Sequence, residues 1–226
     1  EPETKLPVVS VASDEAITLA DGDRNLNPIS SFEYFDRNGE KKATSFGELD
    51  SHGQDSWINP QRSLDWISRD EMGYNSGAKE KIFNYSDRDE YQRIILRASG
   101  DDNYPSVGDF DHEGSTHIRD EYVHTLVQKS DMHMDVRALE RCLVYLNGVY
   151  WGVYTLREKP DDHDYTSYTY DQDKYDLQYL KTWGESWAEY GGDKAIRDWE
   201  ALRDFILTSD LSDNTTVQKI EEQLDL

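Results

Sequence analysis

Cysteine is all but missing from this chain: Cys142 is the one thiol among 226 residues. No internal disulfide can form, so packing and hydrogen bonding must hold the fold. The thiol stands in the apolar run Cys142-Leu143-Val144-Tyr145-Leu146, where a free cysteine acts as a small buried hydrophobe. No His or Asn arrangement marks it as a nucleophile. Basic residues are scarce as well, 24 against 47 acids, for a net charge of -23. Such a chain repels phosphate backbones and anionic lipid, which sets nucleic acid aside as a partner. Metal ions and basic partners are easier to accommodate. No apolar run approaches the roughly 18 residues of a membrane span. Nor does a signal peptide open the sequence; Glu1-Pro2-Glu3-Thr4 reads as a processed start or a fragment boundary.

Familiar reaction motifs are absent too. There is no G-x-S-x-G, P-loop, G-x-G-x-x-G or H-E-x-x-H. The histidines (His52, His112, His117, His124, His133, His163) lack the spacing of a zinc site. Asp171, Asp173 and Asp176 resemble the start of a calcium loop. Tyr175 holds its fifth place, however, and Thr182 stands where a bidentate Glu belongs, so a solvated acidic loop is expected. No metal-binding residue is assigned.

What is present is a strongly aromatic, core-forming sequence. Hydrophobic residues make up 36% and aromatics 12%, and each aromatic side chain can bury about 150–250 Å². Residues 6–12 read as a buried strand, followed by a polar, turn-rich stretch over 21–28. Residues 29–35 and 43–49 read as a strand pair around Arg37-Asn38-Gly39-Glu40. Residues 63–68 and 91–97 are further strands. Over 116–129 the period changes, and Ile118, Tyr122, Val123 and Leu126 share one helical face. Two aromatic and β-branched runs, 141–146 and 149–158, flank Asn147-Gly148 and predict a hairpin. Ala195, Trp199, Leu202 and Ile206 trace a second amphipathic helix. A third begins near Thr216 with Val217, Ile220 and Leu224 on its apolar face, and it runs into Leu226 without a stop signal. That face needs something to pack on, so the chain is expected to continue. Trp183 and Trp187 read as core residues beside Tyr190, or else as a pair on which sugars stack.

The hairpin's second strand ends in Arg157-Glu158-Lys159, with Asp161 and Asp162 close behind. Charged groups at the end of a rigid strand are well placed to line a cleft. The run from Asn147 to Glu158 resembles the N-G-x-Y-W-G-x-Y-x-L-x-E signature of the spore coat protein H (CotH) kinase family. Other stretches resemble that family in the same order. They are Leu6 to Val11, His52-Gly53 followed by Ser56 and Gln61-Arg62-Ser63-Leu64, Ile95 through Asp102, and Ile118-Arg119-Asp120-Glu121.

The resemblance implies an α+β, atypical protein-kinase-like fold, with a mostly antiparallel N-terminal sheet followed by helices. Residues 1–226 would form the N-terminal part of one such domain, truncated at the C-terminus. It further implies ATP with Mg²⁺ or Mn²⁺, a secreted or surface protein as phosphoacceptor, and an extracytoplasmic location. Lys159 is then the nucleotide-contacting lysine with Glu158 as its orienting partner. Arg62 and Arg97 are secondary phosphate contacts. The family's catalytic and metal-binding aspartates have no match in these residues; Asp225 only approaches that region. The fragment is therefore expected to be inactive. A non-catalytic coat or surface module and a carbohydrate-binding domain are the competing readings.

Overall fold

The computed structural model describes residues 5–74, 77–103, 115–130, 132 and 134–224. His112, His133 and Asp225–Leu226 lie outside the described residues. The chain divides into two compact units, Glu1–Tyr165 and Thr166–Leu226.

The first unit contains strands β1 (Val8–Ala12), β2 (Ile29–Phe35), β3 (Lys41–His52), β4 (Ser63–Ile67), β5 (Ala78–Lys79), β6 (Glu90–Tyr91), β7 (Arg93–Arg97), β8 (Leu139–Leu146) and β9 (Val149–Glu158). Helices α1 (Ala16–Asp21) and α2 (Arg119–Gln128) interrupt them. Among the described residues, β1-β2-β3-β4-β7-β9-β8 close into a barrel. The expected antiparallel sheet thus curls onto itself, with β1 and β8 forming the one parallel pair of the ring. Closure leaves none of these strands with an unpaired edge.

Strand alternation decides what fills the barrel. Phe32, Leu49, Leu64, Trp66, Leu96 and Leu156 point inward and are fully buried. The Phe32 and Trp66 rings lie 4.7 Å apart. Cys142 is buried in the same core. Burial pushes its thiol far above the ordinary range, which keeps it protonated and packed as a hydrophobe.

The β8–β9 hairpin turns where the sequence predicts. Asn147 and Gly148 both take positive φ, 51° and 77°, the conformation of a two-residue primed turn. Asn147 also ties the turn to β1's end, donating to the Ser13 carbonyl (2.8 Å) and accepting from its amide (2.9 Å). Gly148→Val should cost about 1–2 kcal/mol, because a β-branched residue cannot hold this φ without strain. A thermal melt should then show a drop of about 2–8 °C. An unchanged midpoint would mean that the turn does not need glycine.

α2 departs from expectation in its orientation. Tyr122, Val123 and Leu126, with Ile118 at its start, are all about half exposed or more. The buried residue of this helix is Glu121. The reason lies in the sheet beneath it. The outward-facing residues of β7 and β9 include Arg97, Thr155 and Arg157, and these bind the helix's carboxylates. Charge pairing outcompetes the apolar stripe.

Between the units in sequence, helix α3 (His163–Tyr170) spans the boundary. In the second unit, β10 (Tyr179–Trp183) and β11 (Glu185–Tyr190) form a hairpin, followed by α4 (Gly192–Thr208) and α5 (Asn214–Glu221). Trp183 and Trp187 are not core residues here: they are 77% and 43% exposed. Leu180, on the hairpin's other face, borders α4 beside Ala195, Trp199 and Leu202. α5 begins at Asp213, whose side chain accepts from the Thr215 amide (3.1 Å). Its Ile220 is buried and Val217 and Leu224 are half-buried, the side the sequence assigns to the apolar face.

Candidate functional site

The outer face of β4, β7 and β9 carries charge where a barrel exterior would ordinarily be polar and wet. Register sets Asp65 beside Ile95, and Ile95 beside Arg157. Arg93, Arg97 and Thr155 share that face by alternation. Asp65, Thr155 and Arg157 are 1%, 0% and 2% exposed. Buried charges persist only when paired and hydrogen-bonded, and two clusters satisfy them.

The first cluster joins sheet to helix. Arg97 Nε and Arg157 Nη1 both donate to Asp120 Oδ2, at 3.0 and 2.9 Å. Thr155 Oγ1 donates to Glu121 Oε1 at 2.5 Å. The start of α2 is fixed by Asp102, which accepts from the amides of Thr116 (2.8 Å), Ile118 (2.9 Å) and Arg119 (2.9 Å). Burial would raise the Asp102 carboxyl, but these amides and the Arg119 charge hold it below the usual range. The stretch from Leu96 to Asp102 therefore has two tasks: Arg97 receives the helix's carboxylate, and Asp102 caps the helix that brings it. Ser99 and His117 take positive φ (67° and 62°) to make this bend, and Ser99 Oγ donates to the His117 carbonyl.

The second cluster lies at the C-terminal end of β9. Asp162, fully buried, accepts from Arg69 (2.5 Å) and Arg93 (3.3 Å). Arg93 also donates to Asp65 (2.5 Å), and His52 Nδ1 lies 3.1 Å from Asp65. Burial alone would raise both carboxyls. The charges of His52, Arg93 and Lys159 instead hold Asp65 well below the usual range, and Arg69 and Arg93 do the same for Asp162. Two neighbours go the other way. Burial raises Glu158 and Asp164, and like charge adds to it, despite their shared partner Arg88.

The four residues singled out in the sequence are placed differently from one another. Lys159 Nζ lies 3.3 Å from Asp161, at the edge of the second cluster, and its charge is felt at Asp65. Glu158 faces Arg88 (3.5 Å) and accepts from the Ala138 amide (3.0 Å). Arg97 belongs to the first cluster. Arg62 donates to the carbonyls of Trp57 (2.9 Å) and Ala20 (3.2 Å) and lies over the Trp57 ring. Arg157 and Asp162 stand in the charged strand end that the sequence singles out, and Asp120 in its Arg-Asp-Glu stretch, but none of them, nor Asp65 or Arg93, is given a role there. The signal for Arg157 was available, since it sits two residues beyond Thr155 on one strand face. Asp65 and Arg93 gave none, because their pairing depends on strand order.

A cavity of about 550 Å³ opens at the other end of β9. Gln61, His117, Trp151, Gly152 and Val153 line it. Gln61 Nε2 donates to the Val153 carbonyl at 2.9 Å. Gly152 holds φ at 149°, a conformation side chains rarely adopt, and a Cβ there would also press on that same Nε2 at 2.7 Å, so the backbone here favours glycine.

A family model described as CotH kinase protein matches residues 49–226. The chain belongs to the CotH kinase family. The match takes in both charged clusters, helix α2 and the whole second unit. Strands β1 and β2 precede the matched span, yet they complete the barrel on which the CotH residues stand. No match among curated proteins accompanies it.

Of the two guanidinium groups at the Asp120 junction, Arg97 is the one with side-chain exposure (19% against 3% for Arg157). Arg97 and Arg157 share one carboxylate, Asp120, which is 39% exposed at its side chain, and planar guanidinium groups suit phosphate oxygens. Among the described residues no group of three or more His, Cys, Asp or Glu is gathered to hold a metal, so no residue is assigned to Mg²⁺.

Proposed function

We propose that this chain is the nucleotide-facing part of an atypical kinase-like domain. It would direct the γ-phosphoryl group of ATP to Ser or Thr hydroxyls of secreted or surface proteins. The observation that carries this reading is the strand–helix junction at Asp120. Kinases of the common fold hold a strand cation against a helix carboxylate beside the phosphates; here Arg97 and Arg157 meet Asp120. Bound ATP would supply the electrophilic phosphorus and the ADP leaving group. The chain's own part is to position and neutralise: Arg97 faces phosphate oxygens, Asp120 orients it, and Asp102 keeps the helix in place. Lys159 provides a further cation, with Glu158 anchoring the strand end that presents it. Arg62 holds the adjoining turn.

In this reading the acids that would hold Mg²⁺ or Mn²⁺ and orient the acceptor hydroxyl are not among the residues assigned. The chain alone should then bind nucleotide without transferring phosphate. An extracytoplasmic location follows from the family's spore-coat association, and no helix among the described residues is long and apolar enough to cross a membrane. The deciding experiment is calorimetric titration with ATP and Mg²⁺ or Mn²⁺. Saturable binding is expected, and Lys159→Ala should weaken it at least about tenfold, as for one lost charge-assisted contact. A folded chain without any binding would instead favour a non-catalytic coat or surface module.

A further inference from the structure

The β10–β11 hairpin presents a face that phosphoryl transfer does not use. Lys181 pairs with Trp187, and Trp183 with Glu185, in its register. Directly paired residues share a face, so Lys181, Trp183, Glu185 and Trp187 lie together, with the two tryptophans diagonal neighbours. Such neighbours are about 7–8 Å apart, within reach of one ligand. The opposite face is already engaged, through Leu180 beside α4 and the Thr182–Ser186 hydroxyl pair (2.8 Å). Gly184 closes the turn at φ 74°, so the pair stands on a short, hydrogen-bonded support. Exposing two indoles at 77% and 43% forgoes burial worth about 25 cal/mol per Å².

The chemistry around the indoles restricts the occupant. Lys181 Nζ lies 3.2 Å from Glu189 Oε1, and Glu185 flanks Trp183, so the rim carries both signs. A strongly cationic peptide would meet Lys181. Anionic lipid or acidic polymer would meet a chain of net charge -23. A folded protein partner needs about 800 Å² on each side, whereas two indoles supply roughly 300–500 Å². A neutral sugar fits each feature. The C–H face of a pyranose ring is slightly positive and settles on the negative face of an indole. Its hydroxyls can donate to Glu185 and Glu189 and accept from Lys181.

We infer that Trp183 and Trp187 form a stacking platform for a neutral polysaccharide, a binding site separate from the charged clusters of the barrel. The inference does not depend on nucleotide binding. The test is affinity electrophoresis of the intact chain in gels containing soluble β-glucan, xylan, mannan or glycol chitin. Tryptophan fluorescence during oligosaccharide titration supplies a second readout. Retarded migration is expected with at least one of the four polymers. Trp183→Ala and Trp187→Ala should each weaken it tenfold or more, and the double variant should abolish it. Trp183→Tyr should retain part of the binding, and Leu207→Ala, an exposed change in α4, should leave it intact. Trp183→Ala, at 77% exposure, should leave the melting temperature nearly unchanged, whereas Trp187→Ala, at 43% exposure, should lower it, and circular dichroism confirms that each variant is folded. Migration unaffected by any polymer, or retardation that survives in the double variant, overturns the inference. So does preferential binding of a decalysine peptide that is lost with Trp183→Ala, since the occupant would then be a cation.

Discussion

Replacing Asp162 with alanine should lower the unfolding free energy by about 3 kcal/mol, the low end for breaking a buried ion pair. Asp162 is fully buried between Arg69 and Arg93, whose side chains are 18% and 13% exposed. Its loss strands positive charge in a poorly solvated place. The value sits at the low end because Arg93 keeps Asp65 (2.5 Å). Denaturant titration is the measurement, with Lys42→Ala at the exposed Lys42–Glu40 pair as a control expected to change nothing measurable. A loss below about 1 kcal/mol would mean that solvent reaches the cluster and compensates.

The same network fixes the response to acid. Asp65 and Asp162 have folded pKa values below their unfolded ones. The stability they contribute is present above the unfolded value, about 3.9, and is lost as pH falls through the folded values. Glu158 and Asp164 are raised, so in the folded chain they take up protons before the unfolded chain does. Lowering pH from neutral toward their folded values therefore adds stability. His117 and His124, whose pKa values burial lowers, act the other way below about pH 6.5, so the net expectation is a steep loss of stability below about pH 4. Asp162→Asn should flatten the acid limb.

How much of this was legible follows from the range over which each signal acts. The β8–β9 hairpin was fully legible, because Asn147-Gly148 and the alternation on either side are local. β1 to β4 were legible for the same reason. Barrel closure was not, since it rests on Val8–Val11 lying parallel to Leu143–Leu146, over 130 residues away. α2 was read as a helix but its buried side was misjudged: four apolar residues outvote Asp120 and Glu121 until Arg97 and Arg157 are known to lie beneath. For Trp183 and Trp187 the sequence offered a core reading and a sugar-stacking reading, and their exposure removes the first. Their exposure depends on Leu180, not a tryptophan, being the residue turned to α4. Within the site, Lys159 and Arg97 came from motif order, whereas Asp65, Arg93 and Asp162 meet only after folding.

Arg97→Ala should weaken ATP binding about 10- to 100-fold, the equivalent of about 1.5–3 kcal/mol for a hydrogen bond to a charged group. Arg97 is the more accessible of the two arginines on Asp120: its side chain is 19% exposed against 3% for Arg157. Arg157 is thus the fixed member that anchors the carboxylate, and Arg97 the member free to turn toward phosphate. Arg97→Lys should restore part of the affinity by returning the charge without the two-pronged geometry. Arg62→Ala serves as the contrast. Its contacts with Trp57 and Ala20 carbonyls predict that stability falls first, with affinity changed less. Thermal shift separates the two effects. ATP at 100 times the wild-type Kd stabilises by about 2.7 kcal/mol, and the same ATP should give only about 0.4–1.4 kcal/mol to Arg97→Ala. An Arg97→Ala chain that melts like the wild type and is protected equally by ATP would remove the guanidinium–carboxylate junction from the nucleotide site. The charged face of β7 and β9 would then be a means of holding α2 to the barrel, and nothing more.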